Sequence, residues 1–245
     1  MLIKEEFADL DTPTGPMRTH LFRPLTEGKF PGLVFYSEIF QVSGPIRRFA
    51  ARLAGQGYLV AVPEVYHEFE PAGTVLAYDD AGSARGNLLK VTKEVAAYDS
   101  DAAASLTFLQ AHPQCSGNLG AVGVCLGGHL AFRAAMNPSV CAGVCFYPTD
   151  IHQGSLGRGR ADNTLSRMGE ISGEMLMMWG RQDPHIPAEG RRKIYDEMSA
   201  ANLPFEWHEW NGAHAFMRDE GHRYDPAIAQ ICFAMMFEFL ERRLK

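Results

Sequence analysis

Gly123-Val124-Cys125-Leu126-Gly127-Gly128 is the stretch of this sequence best equipped for chemistry. A nucleophile-type residue flanked two positions away by glycines marks a sharp turn from a strand into a helix. Such a turn strains the central residue, exposes its side chain, and brings chain so close to chain that the glycines must lack a Cβ. At the head of a helix, partial positive charge favours the thiolate of Cys125. The same geometry points the Leu126 amide N–H at a developing oxyanion. The chemistry implied is attack of a thiolate on an acyl carbon. Cys115, Cys141, Cys145 and Cys232 lack this setting, and small buried packing residues explain them better.

A cysteine nucleophile needs a histidine to manage its proton and an acid to orient that histidine. Behind an elbow of this type the two follow in the order acid, then histidine. Asp183 fits the acid, on a loop just past the apolar run Met175-Leu-Met-Met-Trp179. His214 fits the histidine, on the Gly212-containing loop after Phe205–Trp210. His208 lies inside that run and reads as a surface or packing residue. His185 is too near Asp183 in sequence to be an obvious partner, and His222 lies further into the terminal segment.

The elements that must position these groups follow from periodicity and turn chemistry. Residues 1–24 read as a hairpin turning at Thr12-Pro13-Thr14-Gly15. Buried-strand signals follow at 32–36, 58–62, 119–124, 140–147, 174–179 and 205–210. Helical spacing appears around Ile46–Leu53 and over 99–109, 126–136, 187–202 and 225–244. Residues 64–90 read as a long polar connection of the kind that covers a site. Strands alternating with helices predict one α/β domain over 1–245, a mostly parallel sheet with helices on both faces and the site at the strands' carboxyl ends.

The chain has 245 residues, 46% hydrophobic and 21% charged, with net charge −6, which is ordinary for a globular domain. No basic face of the kind nucleic acid requires is present; Arg47-Arg48, Arg191-Arg192-Lys193 and Arg242-Arg243 read as solvated helix faces. The N-terminal decapeptide carries Lys4, Glu5 and Glu6 and does not read as a signal peptide, and no apolar run approaches the roughly 18 residues of a membrane span. Five cysteines without disulfide or metal-site spacing favour a soluble, cytoplasmic protein with free thiols. No HExxH, GxGxxG or P-loop is present, so no metal and no cofactor is expected.

Taken together, Ser37-Glu38-Ile39-Phe40, the cysteine elbow, Gly180-x-x-Asp183-x-x-Ile186-Pro187 and Gly212-Ala-His-Ala-Phe216 resemble the dienelactone hydrolases, or carboxymethylenebutenolidases, over nearly the whole chain. The resemblance implies an α/β-hydrolase fold and a Cys125–His214–Asp183 triad. It assigns Glu38 to a carboxylate that helps remove the thiol proton when substrate binds. It also assigns the Ile39 amide to the second oxyanion donor and Arg218 to a substrate carboxylate, for which a planar guanidinium fork is suited. Arg85 is a second candidate for that carboxylate, although 64–98 matches the family poorly. Phe-Tyr147-Pro-Thr departs from the family's usual Tyr-Gly.

The nucleophile constrains the substrate. A thiolate is itself a good leaving group, so a tetrahedral intermediate reverts unless the substrate expels something better. Enol lactones and activated esters do so; peptides and simple alkyl esters do not. The expected ligand is therefore a small ester or lactone, with a carboxylate, acted on by a monomer or homodimer. The alternatives are a thioesterase with a larger acyl group and an idle hydrolase fold that only binds ligands.

Overall fold

The computed structural model describes residues 1–245. A hairpin of β1 (Ile3–Thr12) and β2 (Gly15–Pro24) opens the chain, turning at Gly15 with φ +117°. Then come β3 (Phe30–Tyr36), α1 (Gly44–Gly55), β4 (Leu59–Pro63), α2 (Asp80–Thr92), α3 (Val95–Ala111), β5 (Cys115–Val124) and α4 (Leu126–Ala134). The chain closes with β6 (Val140–Phe146), α5 (Thr164–Arg167), β7 (Glu174–Gly180), α6 (Ala188–Ala200), β8 (Phe205–Trp210) and α7 (Pro226–Leu244). No helix is long and apolar enough to cross a membrane.

All eight strands join one sheet in the order β1-β2-β4-β3-β5-β6-β7-β8. The hairpin and the β2/β4 pair are antiparallel; β4, β3 and β5 to β8 run parallel. Strands covered on both faces must be apolar throughout rather than alternating, and β4 is buried at every position. The register shows which helix covers which face. Gly32 pairs with Leu119, and a Cβ on Gly32 would meet Leu109 of α3; Leu33 pairs with Gly120, where a Cβ would meet Leu244 of α7. Paired residues share a face and consecutive ones alternate, so α3 and α7 lie on opposite faces. On α1, Ile46, Phe49, Ala50 and Leu53 turn inward, and Phe49 reaches Phe233 of α7 at 4.7 Å between ring centroids.

Three expectations need correction. The 64–90 connection is not irregular throughout: α2 begins at Asp80, capped by Asp79, whose carboxylate accepts the Gly82 N–H at 2.7 Å. Gly82 and Gly86 hide its periodicity, and both are demanded by packing, because a Cβ at either would strike the backbone oxygen of Ala77 or Ile39. Arg191 does not join a solvated face. It is buried, donating from Nη1 to the Ile186 carbonyl at 2.8 Å, with Nε 3.3 Å from Glu209. Cys141 is exposed at the start of β6, whereas Cys115, Cys145 and Cys232 are buried.

A buried ionic cluster pins α2 to α3. Lys93, fully buried, pairs with Glu68 and lies 2.8 Å from Asp101, while His67 Nε2 stands 3.2 Å from the same carboxylate. The Lys93 carbonyl also accepts the Arg158 N–H at 2.8 Å, tying in the segment after β6.

Candidate active site

Cys125 sits between β5 and α4 with φ +58° and ψ −122°, a conformation that costs about 1–3 kcal/mol and persists only where its surroundings impose it. They do. Its N–H donates to Phe146 O at 3.0 Å, and its carbonyl accepts from Gly128 N at 3.0 Å and Thr149 N at 3.3 Å. The glycines work as expected in kind, with a refinement. A Cβ on Gly123 would collide with the Gly127 backbone, but one on Gly127 would collide with the carbonyls of Tyr36 and Ser37 at the end of β3. Gly127 therefore seats the elbow against the neighbouring strand.

Asp183 and His214 come together although 31 residues separate them. Backbone bonds splice their loops: Arg181 N–H to Trp210 O at 2.7 Å and Gln182 N–H to Gly212 O at 3.0 Å. His214 Nδ1 lies 2.6 Å from Asp183 Oδ2, and the other carboxylate oxygen accepts the His185 N–H at 2.8 Å. An ionised carboxylate only accepts, so the pair puts the proton on Nδ1 and leaves Nε2 for the cavity. Burial alone would push the His214 imidazole down. Its interactions with the Cys125 sulfur and with the Asp183 carboxylate outweigh burial and lift it to about 10. Tyr147, buried and with φ +38°, packs edge-on behind His214 at 5.0 Å.

Glu38 follows β3, is 3% exposed, and lies 3.6 Å from Arg218 Nη1. Tyr78, which sequence reasoning missed, donates its hydroxyl to Glu38 Oε2 at 3.2 Å and accepts from Ser43 at 2.7 Å. Its ring also lies 4.4 Å beneath the Arg218 guanidinium. Burial raises the proton affinity of Glu38 above the usual carboxylate range, and Arg218, His214 and Tyr78 only partly offset it. The Ile39 N–H has no acceptor within the protein, and Leu126, first in α4, has no intrahelical acceptor for its own.

One cavity of about 540 Å³ collects Cys125, His214, Glu38, Ile39 and Arg218. Only 4 of its 19 lining residues are hydrophobic, so it suits a polar or charged guest rather than a long alkyl chain. Asp183 lies behind His214, outside the lining. The far wall is α2, which presents Asp80, Ser83, Asn87 and Lys90. Positions 80, 83, 87 and 90 form one helical stripe, and Arg85 is out of phase with it. Arg85 is exposed and paired with Glu70 at 2.6 Å, so it is no part of the lining. His185 and His222, set aside on sequence distance, both return to the cavity, as does Arg223. No group of residues here could hold a metal ion.

A model of the dienelactone hydrolase family matches residues 17–244. The chain belongs to the dienelactone hydrolase family. A "Putative carboxymethylenebutenolidase" of Saccharomyces cerevisiae is 41% identical, covering 100% of this chain and 94% of its own. The carboxymethylenebutenolidase of Pseudomonas putida is 27% identical over 86% and 85%. A solved structure titled "Putative Dienelactone Hydrolase", from Klebsiella pneumoniae subsp. pneumoniae, superposes with a TM-score of 0.86 at 22% identity, covering 98% of this chain and 99% of that one. The fold is thus the α/β-hydrolase fold, and this dienelactone hydrolase family member is a carboxylic ester hydrolase.

Proposed function

We propose that this family member hydrolyses an activated ester or lactone bearing a carboxylate, through an acyl–Cys125 intermediate. The observation that carries the reading is the shared cavity: Cys125, the His214–Asp183 pair and the Glu38–Arg218 pair open into one space. The substrate carboxylate takes the Arg218 guanidinium in competition with Glu38. Released from Arg218, Glu38 is a buried carboxylate with raised proton affinity and can accept the thiol proton of Cys125.

The thiolate sulfur then bonds to the acyl carbon, and the carbonyl electron pair moves onto oxygen between the Ile39 and Leu126 amides. Collapse of this intermediate expels the leaving oxygen, which takes the proton held at His214 Nε2. Water attacks the thioester with Nε2 taking its proton, and collapse of the second intermediate releases the acid product and expels the thiolate, which takes back its proton from Glu38. Asp183 holds the imidazole in place throughout. Because a thiolate competes as a leaving group, enol lactones and aryl esters turn over and peptide amides do not. The polar lining speaks against a thioesterase for long acyl chains. A reducing, cytoplasmic setting belongs to the same reading, supported by five cysteines without a disulfide.

The test is a panel of an enol lactone, an aryl ester, a thioester and a peptide, assayed with wild type and Cys125→Ala. The expected result is lactone and ester turnover that vanishes in Cys125→Ala, with an acyl adduct on Cys125 by mass spectrometry. Peptide cleavage faster than lactone cleavage, or an active Cys125→Ala, would sink the proposal.

A further inference from the structure

Three Lys or Arg side chains line the cavity, and they are not equivalent. Lys90 is bound by both oxygens of Asp150, at 3.0 and 2.9 Å, and Arg218 faces Glu38. Arg223 has no acidic partner. The loop that carries it holds three acids which could have neutralised it, but Asp225 caps α7 by accepting the Ala227 and Ile228 N–H groups at 3.1 and 3.0 Å, and Asp219 and Glu220 turn to Arg48 of α1. Asp219 takes the Arg48 guanidinium through two bonds of 2.7 and 2.8 Å, and Glu220 lies 3.7 Å from it. The loop is fixed at its far end by the Asp225 N–H on Phe216 O at 3.1 Å. The fold thus leaves one guanidinium on the cavity wall without a counter-charge.

Beside it stands His185. Its backbone N–H is used by Asp183, and its ring nitrogens bond to nothing in the protein. The ring packs edge-on against His214 with centroids 4.7 Å apart. His214 delivers the proton to the departing oxygen in the reading above, so His185 and Arg223 lie on the leaving-group side, whereas Arg218 lies with Glu38. We infer that Arg223 and His185 form a second anion subsite, which takes a carboxylate or similar anion on the leaving-group portion of the substrate. The preferred substrate would then carry two anionic groups, one at each end of the reacting bond. This inference rests on the proposed function above and names its substrate class.

Two further features agree. Burial holds the His185 imidazole below its ordinary range, and three neighbouring cations, His214, Arg223 and Lys90, press it the same way against the single pull of Asp183. A neutral imidazole in a positive field is a hydrogen-bond donor for an anion, not a competitor for it. The acids on the opposite wall leave this side free: Asp79 is engaged as the cap of α2, and Asp80 stands at the exposed rim.

The experiment compares 3-carboxyphenyl acetate with phenyl acetate, which differ by one anion on leaving groups of similar acidity. Wild type should favour the carboxylated ester about tenfold in kcat/KM, mainly through KM, as one charge-assisted contact allows. Arg223→Gln should bring the ratio near one, and Arg223→Lys should keep part of it. An equal ratio in wild type, or one unchanged in Arg223→Gln, overturns the subsite. Binding of 3-hydroxybenzoate, followed by the His185 ring signals in NMR, reads the site without turnover. Arg223-dependent binding by a protein inactive on both esters and on the enol lactone would remove the hydrolytic reading and leave the subsite standing. Absence of such binding overturns the subsite itself.

Discussion

Two helices begin at the same cavity and end their first turns in opposite ways. α2 is closed by its own neighbour: Asp79 has ordinary extended backbone (φ −135°) and fills the helix end with its carboxylate. α4 starts at Cys125, with φ +58° and no side-chain cap, so its first amides stay open toward the cavity. The strained end is held from outside, by Phe146, Thr149 and the backbone of Tyr36 and Ser37. A helix end left unfilled is an anion site, and one capped by its own carboxylate is not. The difference leaves the start of α4 open to negative charge and the start of α2 closed to it. The enclosing wall is anchored by contacts distant in the chain, among them the buried Lys93 cluster and the Lys90–Asp150 pair.

The largest break in this comparison should come from Lys93→Met. It keeps the apolar stem but leaves Asp101 and Glu68 without their buried cation, costing about 4 kcal/mol in urea denaturation at neutral pH. A loss under about 1 kcal/mol would mean that α2 is held by other contacts. Gly127→Ala should cost less stability, about 2–3 kcal/mol, because the new Cβ must push the end of β3 away. It should also lower kcat by about a hundredfold through displacement of the elbow. Wild-type kcat in a folded variant would show that the seating against β3 is dispensable.

The smallest effect is expected at Asp79→Ala, which removes a cap worth about 1 kcal/mol. Thermal melting measures it, and Asp79→Asn should recover most of the loss. A drop as large as that of Lys93→Met would mean that the cap, not the cluster, sets the wall.

The groups read from the sequence are those whose surroundings are sequence neighbours. Cys125 announces itself through glycines two residues away, and Asp183 and His214 each follow an apolar strand that predicts a loop at the correct edge. The α2 wall was hidden because Gly82 and Gly86, required by contacts with Ala77 and Ile39, break the periodic signal. Tyr78, His185, His222 and Arg223 carry no local mark. Each is an ordinary loop residue until the chain folds it into the cavity that Cys125 lines. Arg191 misled for the converse reason: a basic triplet reads as a solvated face, and only the distant Glu209 and the Ile186 carbonyl explain its burial.

By itself the sequence determined the elbow at Cys125 and the chain order of Cys125, Asp183 and His214, because turn sterics and strand periodicity act over a few residues. The tertiary structure alone decided which charges meet. Glu38 faces Arg218, Asp150 takes Lys90, and Arg48 draws Asp219 and Glu220 away so that Arg223 is left without an acid. Ion pairing depends on distances of a few ångströms between residues far apart in the chain, and no spacing along the sequence encodes that.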